Sequence, residues 1–297
     1  MSPGDEVRYV ESAAGVRSPR ILYGTAWKEE RTRQLVERAL ELGFRGVDTA
    51  AQPKHYDETA VGRALAAAME RGIVMRDELY VQTKFTPYPG QDPRRVPYDP
   101  AAPLAAQVEQ SFAASLRNLA VDYVDALVLH SPMPDERLLE EVWRAMEAIA
   151  QRGGARQLGI SNCYSLAYLE QLCAIAQIKP AVVQNRFYAA TNFDVRIRRF
   201  CADHRMIYQS FWTLTANPDL LGSPELQRPA ERLGCTAAQV LFRFLTQEGV
   251  VPLTGTQSEQ HMRDDLAIFE FELDDQERSA ITARLLRGRF DNASARF

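Results

Sequence analysis

The chain predicts an α/β protein built as a parallel (β/α)8 (TIM) barrel, with an N-terminal β-hairpin and long loops at the C-terminal face of the barrel. Three observations carry that expectation. Eight short runs of strand character alternate with longer segments of helical periodicity. The 297 residues suit one barrel of ~250 residues with trimmings. An open doubly wound sheet usually carries Gly-x-Gly-x-x-Gly after its first strand. Here the first strand runs into Gly24-Thr-Ala-Trp27 instead.

Residues 5–19, with Ala14-Gly15 at their middle, read as a hairpin ahead of the barrel, so the segment 1–20 is set apart from it. The barrel strands are expected at 20–24 (RILYG), 44–48 (FRGVD), 79–84 (LYVQTK), 123–130 (YVDALVLH), 156–161 (RQLGIS), 181–185 (AVVQN), 206–211 (MIYQSF) and 250–254 (VVPLT). Helical faces lie between them: Leu35, Ala39 and Leu42; Leu139, Val142, Trp143 and Met146; Val240, Leu241 and Phe244. Thr236-Ala-Ala-Gln239 reads as a capping box before the last strand, and Asp274-Asp-Gln-Glu277 as a similar start. Gly153-Gly154 reads as a helix stop rather than a phosphate loop. Residues 85–103 hold six prolines and form the longest irregular stretch, of a length that is often functional. The whole of 1–297 reads as a single domain. Its tail, 286–297, either folds over the pocket or is flexible, and its Arg, Gly and Asn content favours the second.

Composition restricts the function classes. The chain is 46% hydrophobic and 25% charged, as a soluble globular protein is. Net charge is −4 and no long basic stripe occurs, so nucleic acid is not an expected partner. The cluster Arg196-Ile-Arg-Arg199 reads as a solvated helix face. The start is polar and acidic, unlike a signal peptide, and no apolar run approaches the ~20 residues of a membrane helix. Cys163, Cys173, Cys201 and Cys235 are scattered without Cys-x-x-Cys spacing, which points to reduced thiols and a cytoplasmic protein.

Chemistry in such a barrel sits at the C-terminal strand ends. Strand two ends at Asp48, strand three at Lys84 and strand four at His130. Buried charges are uncommon unless paired, and Asp48 and Lys84 would pair across adjacent strands. Taken alone, that is equally a structural ion pair beside a satisfied histidine. The loop after Asp48 adds Tyr56. A lysine ammonium nearby is expected to lower the pKa of its phenol, which could then pass a proton to a carbonyl oxygen as hydride reaches the carbon. A neutral histidine would orient the same oxygen. The set suits carbonyl reduction. It lacks a nucleophile with an adjacent base, and His55, His130, His204 and His261 are too dispersed for a metal centre.

The sequence resembles the aldo-keto reductase family in pieces that run through nearly the whole chain: GTAW (24–27), VDTA (47–50), ETAVGRAL (58–65), VQTK (81–84), DALVLHSP (125–132), LGISN (158–162) and PAVVQ (180–184). The resemblance implies a (β/α)8 barrel that binds an extended nicotinamide cofactor without a Rossmann fold, and a tetrad of Asp48, Tyr56, Lys84 and His130. One departure stands out. The family's tyrosine usually follows the aspartate by five residues, where this chain has Pro53. Counting back from ETAVG reaches His55 instead. We assign the role to Tyr56, the better acid for an alkoxide-like transition state, and place His55 at the pocket rim as a substrate contact.

The resemblance also implies the cofactor contacts. Ser161, Asn162 and Gln184 hold the carboxamide, with Asp48 close by, and Thr25 lies near the ribose. Trp212, or its neighbour Phe211, stacks on the nicotinamide, followed by Thr213 and Leu214. Thr254, Gly255 and Thr256 approach the phosphates, and Asp264 and Asp265 the adenine. Leu253 replaces a lysine that grips the 2′-phosphate, and Gln260 or His261 replaces an arginine, with Arg263 nearby. The family default is NADP(H), and these losses leave NAD(H) open. Trp27 and Tyr88, with Phe187 or Tyr188, are expected to line a largely aromatic pocket suited to aryl carbonyls. The implied activity is NAD(P)H-dependent reduction of an aldehyde or ketone, in a chain for which a monomer is favoured. A cofactor-holding regulatory subunit is the alternative, and a barrel isomerase using Asp48 and Lys84 a third reading.

Overall fold

The computed structural model describes residues 7–291. A two-stranded antiparallel hairpin, β1 (Tyr9–Glu11) and β2 (Arg17–Pro19), precedes a closed barrel of eight parallel strands. These are β3 (Leu22–Gly24), β4 (Gly46–Asp48), β5 (Tyr80–Phe85), β6 (Ala126–Leu129), β7 (Leu158–Ser161), β8 (Val182–Arg186), β9 (Ile207–Phe211) and β10 (Val250–Thr254). Every expected strand run contains one of them, apart from the last residue of β5 and of β8. Each strand pairs with its sequence neighbour, and β10 closes on β3 through Leu253↔Leu22 and Thr254↔Tyr23. The hairpin packs on the barrel interior: Val16 joins Leu22, Tyr80, Ala126, Val128, Ile207 and Val251, and the Ser12 hydroxyl donates to Gln157 Oε1 at 2.6 Å.

The helices wrap the barrel. They are α1 (Thr32–Leu42), α2 (Glu58–Glu70), α3 (Leu104–Leu119), α4 (Glu136–Gln151), α5 (Leu166–Ile175), α6 (Val195–Asp203), α7 (Pro218–Leu221), α8 (Pro224–Leu233), α9 (Ala237–Gln247), α10 (Glu259–Leu266) and α11 (Asp275–Asp291). The expected apolar faces are the buried ones. Leu35, Ala39, Val142, Trp143, Val240 and Leu241 all lie in the core between helices and strands, where each large side chain contributes about 1.5–3 kcal/mol. Thr236 and Gln239 form the reciprocal capping box that opens α9. Asp274 and Glu277 exchange the equivalent pair of bonds, at 2.8 and 3.0 Å, at the start of α11. Gly153 (φ 82°) follows α4 in the left-handed region that stops a helix. The expected tail at 286–297 begins inside α11, and residues 292–297 lie outside the described part.

Two local features place the loop that carries His55 and Tyr56. Asp57 caps α2, its carboxylate accepting from Ala60 N at 2.8 Å, so Tyr56 stands one residue ahead of the cap. At Gly62 a Cβ would come within 2.1 Å of the Asn118 carbonyl oxygen, so glycine lets α2 pack tightly on the end of α3. The proline-rich stretch is anchored to the same loop. Gln91 Nε2 donates to Ala51 O (2.9 Å) and Thr86 O (3.1 Å), and Gln52 Nε2 donates to Gly90 O (2.7 Å).

Candidate active site

Successive strand residues face opposite ways, so polar residues two apart share the barrel interior. On β5 these are Gln82 and Lys84 and on β8 Gln184 and Arg186, while on β9 Gln209 shares its parity with the apolar Phe211. The Lys84 ammonium has three acceptors: Asp48 Oδ1 and Oδ2, both at 2.7 Å, and Thr49 O at 2.8 Å. Both side chains are fully buried. Asp48 Oδ1 also accepts from Gln82 Nε2 (2.7 Å) and Gln184 Nε2 (2.9 Å). A carboxylate only accepts, so these atoms of Gln82 and Gln184 are nitrogens. Gln209 Oε1 takes the second hydrogen of each, at 2.8 and 2.9 Å, and its own Nε2 donates to Gln82 Oε1 at 3.0 Å. The chain continues through Tyr80 to Gln157 and Ser12 in the hairpin. The orientation of every amide therefore follows from the Asp48 charge, and Gln184 is left presenting Oε1 to the cavity that it lines.

Tyr56 lies beside this pair. Its ring centre is 5.3 Å from Lys84 Nζ and 6.0 Å from the centre of the His130 ring. His55 turns the other way, its ring 3.6 Å from that of Trp27. Backbone bonds fix the division: Trp27 N donates to His55 O (2.8 Å), while His55 N and Tyr56 N both donate to Gln52 O. His55 Nδ1 is buried without a hydrogen-bond partner. The Tyr56 phenol does not have the lowered pKa expected from its lysine neighbour. Burial raises it, and Asp48 raises it further. Burial is the larger cause: a phenolate cut off from water is costly, and the Asp48 carboxylate nearby adds repulsion to that cost. Burial also lowers Lys84, against the pull of Asp48, and takes His130 well below the usual imidazole range with Lys84 adding to the shift. His130 Nδ1 lies 2.6 Å from the Thr86 hydroxyl.

From this floor a groove of about 850 Å³ runs between the strand-end loops towards α10. Asp48, Tyr56, His130, Ser161, Asn162, Gln184, Trp212, Thr213, Leu214, Thr254, Gly255, Thr256, Asp264 and Asp265 line it, together with Trp27 and His55. Lys84 sits just beneath, on Asp48. Thr25 is fully buried with its hydroxyl on Asp48 O (2.9 Å) and does not reach the groove. Tyr88, Phe187 and Tyr188 are not among the lining residues either. Tyr88 lies in the short turn tied down by Gln52 and Gln91 and is 44% exposed. Phe187 is on the outward parity of β8, where it packs on Phe193. The expected wall of aromatics with few charges is therefore corrected: Trp27, Phe211 and Trp212 share the groove with Arg186 and Lys28.

Of the two stacking candidates, Phe211 has the inward parity of β9 and packs against the barrel interior. Trp212 lies past the strand with a left-handed backbone (φ 54°), 47% exposed, with the Arg186 guanidinium over its ring at 4.3 Å. Trp27 has the same backbone geometry (φ 60°) and is 54% exposed. Bulky residues in that region are strained and tend to occur at functional sites.

Sequence reasoning missed Lys28, Thr86, Arg186, Gln82 and Gln209. The signal was present for the last three, since polar residues at inward parity in otherwise apolar strands stand out once the strand ends are set. Lys28 had none. It is buried across the groove, where its Nζ donates to Gly255 O, and burial lowers its pKa to about 8, with Arg31 adding to the shift.

At the far end, Asp265 is buried, accepts from the Thr254 hydroxyl at 2.6 Å and has its pKa raised to about 7 by burial. A carboxyl whose folded pKa exceeds its unfolded value binds the proton more tightly when folded. Its contribution to stability is complete below about pH 4 and is lost as pH rises through about 7, up to about 4 kcal/mol in all. Asp265→Asn keeps the acceptor and removes the charge. It is expected to raise Tm at pH 8 by about 5 °C or more and to change it little at pH 4.5. Equal shifts at the two pH values in thermal denaturation would remove the basis for the raised pKa.

Residues 20–285 match the family model described as "Aldo/keto reductase family". "Aldo-keto reductase BQ2027_MB2996" of Mycobacterium bovis is 31% identical over 246 residues, covering 82% of this chain and 79% of its own length. The "NADP-dependent D-sorbitol-6-phosphate dehydrogenase" of Malus domestica is 27% identical over 305 residues, 92% of each chain. The crystal structure of an aldo/keto reductase from Brucella melitensis superposes with a TM-score of 0.79 at 25% identity, covering 93% of this chain and 98% of that one.

Proposed function

The chain belongs to the aldo/keto reductase family, and from that premise we propose that it reduces aldehydes or ketones to alcohols, with Tyr56 as proton donor and NADPH as the preferred cofactor. The observation that carries the reading is the assembly, at the floor of one groove, of the Tyr56 phenol with the His130 imidazole, 6.0 Å away between ring centres, and with the buried Lys84–Asp48 pair, whose Nζ is 5.3 Å from the phenol ring centre. All four groups of the tetrad meet there, which weighs against the regulatory, binding-only reading.

The residues present fit a nicotinamide dinucleotide. Gln184 presents an acceptor, and Ser161 and Asn162 add hydroxyl and amide groups, as a carboxamide needs. Phe211 offers a ring face at the barrel mouth. Lys28, a buried cation with a carbonyl as its acceptor, suits a phosphate. Asp264 and Asp265, with Gln260 and His261, line the adenosine end. When bound, the reduced cofactor supplies the hydride. Everything else is the work of the chain. In the tautomer where the Thr86 hydroxyl donates to His130 Nδ1, Nε2–H is left to hold the carbonyl oxygen. Tyr56 keeps its proton until that oxygen gains charge, then delivers it. Lys84, held by Asp48, places positive charge beside the phenolate that remains. The preference for NADPH rests on the family default and on the NADP-dependent apple relative. Arg263 does not contribute, because it does not line the groove and pairs with Glu259 at 2.8 Å.

Steady NADPH consumption on a panel of aryl aldehydes, with fluorescence titration of the cofactor, tests the reading. Cofactor binding without turnover on any carbonyl would overturn it. Lys28 adds a sharper expectation. A lysine with a pKa near 8 is charged below that pH and neutral above it. Lys28→Met is therefore expected to weaken NADPH binding about tenfold at pH 6.5, or ~1.4 kcal/mol, and much less at pH 9. Equal affinities of variant and parent at pH 6.5 would place Lys28 outside the phosphate contacts.

A further inference from the structure

We infer that Arg186 is a specificity-determining residue that selects carbonyl substrates bearing an anionic group, a carboxylate or a phosphate. The inference rests on the proposed carbonyl-reductase reading and names the substrate class of that same site.

Arg186 is the last residue of β8, two beyond Gln184 and on the same inward parity. It lines the groove between Phe211, its register partner on β9, and Asn162, whose amide donates to His130 O at 2.8 Å. Its guanidinium lies over the Trp212 ring at 4.3 Å and near the Tyr188 ring at 5.3 Å. Nε is buried with no hydrogen-bond partner. Among the described residues the guanidinium makes neither an ion pair nor a hydrogen bond. The backbone around it is braced: Arg186 N donates to the Tyr164 hydroxyl at 3.1 Å, and that hydroxyl donates to Asn162 Oδ1 at 3.3 Å.

A guanidinium held by its flat face keeps its in-plane N–H groups free, which is the arrangement that accepts a carboxylate or phosphate through two parallel bonds. The charge has no counterpart within the site. Asp48 is committed to Lys84, and Asp264 and Asp265 lie on α10, which follows β10 rather than β8. A positive group left unmatched beside the carbonyl site favours a negative ligand there and disfavours a positive one. The cofactor's phosphates are the other source of the same chemistry. Lys28, on the Gly255 side of the groove, already offers them a cation.

The test compares 4-carboxybenzaldehyde with its uncharged methyl ester, methyl 4-formylbenzoate, using wild-type protein, Arg186→Met and Arg186→Lys with saturating NADPH. Arg186→Met is expected to lower the ratio of kcat/KM for the acid over the ester at least tenfold, chiefly through the KM of the acid, and Arg186→Lys to restore part of it. An equal loss on both substrates would overturn the inference. So would a rise in the NADPH dissociation constant large enough to explain the change, which would assign the anion to the cofactor. Calorimetric binding of 4-carboxybenzyl alcohol to the NADP+ complex gives a readout without turnover. Tight binding lost in Arg186→Met supports the role even if no aldehyde is consumed, an outcome that would sink only the reductase reading. Equal binding to both proteins contradicts it.

Discussion

Tyr56→Phe is expected to lower kcat for aldehyde reduction about a thousandfold, within the ~10²–10⁴ that a positioned general acid contributes, while NADPH affinity stays within about twofold. The substitution removes one oxygen. The ring keeps its place beside Lys84 and His130, and the lysine keeps its three acceptors. Since burial and Asp48 hold the phenol protonated, the loss falls on the proton that the reaction needs and not on folding. Steady-state rates and cofactor fluorescence measured together check this. A variant that retains full turnover would return the role to a neighbouring group.

The second large effect concerns the pair beneath. Lys84→Met leaves the Asp48 carboxylate buried without its cation, and breaking such a pair costs about 3–5 kcal/mol. A fall in Tm of about 10 °C is expected with it. Turnover should drop as well, because the phenolate left after proton transfer loses its counter-charge. The double variant Asp48→Asn/Lys84→Met removes both charges and keeps an amide for Gln82 and Gln184 to meet. It is expected to regain most of the lost stability and none of the lost rate. Thermal melts and kcat for the single and double variants separate the two roles. Recovery of both, or of neither, would mean that the pair is not what divides stability from catalysis here.

The barrel was legible because short β-rich runs and period-3.6 faces alternate cleanly, and the buried residues follow those patterns from Leu35 to Phe244. Strand ends then located Asp48, Lys84 and His130 without a structure. The division of labour between His55 and Tyr56 was less accessible. It depends on backbone bonds to Gln52 and on the Asp57 cap, which set the facing of two adjacent rings. The direction of the Tyr56 shift was misjudged for a related reason. Proximity to an ammonium predicts a lowered pKa for a solvated phenol, and the burial of Tyr56 beside the Asp48 carboxylate is a three-dimensional fact. Lys28 escaped notice because its burial comes from a loop crossing to Gly255, more than two hundred residues away. Arg186 shows the reverse case: its parity could be read from the chain, but its unmatched charge and its seat on Trp212 could not.

The central claim is that a phenol, rather than the imidazole beside it, supplies the proton. The pH dependence of NADPH consumption in a single turnover tests it most directly. A phenol raised above its ordinary pKa of 10 stays protonated through neutrality, so the rate should be flat between about pH 6 and 9. The His55 imidazole, lowered from 6.5 by burial and then Lys54, would carry a proton only at acid pH. A rate that falls away as pH rises above about 6, in wild type and Tyr56→Phe alike, would contradict the account.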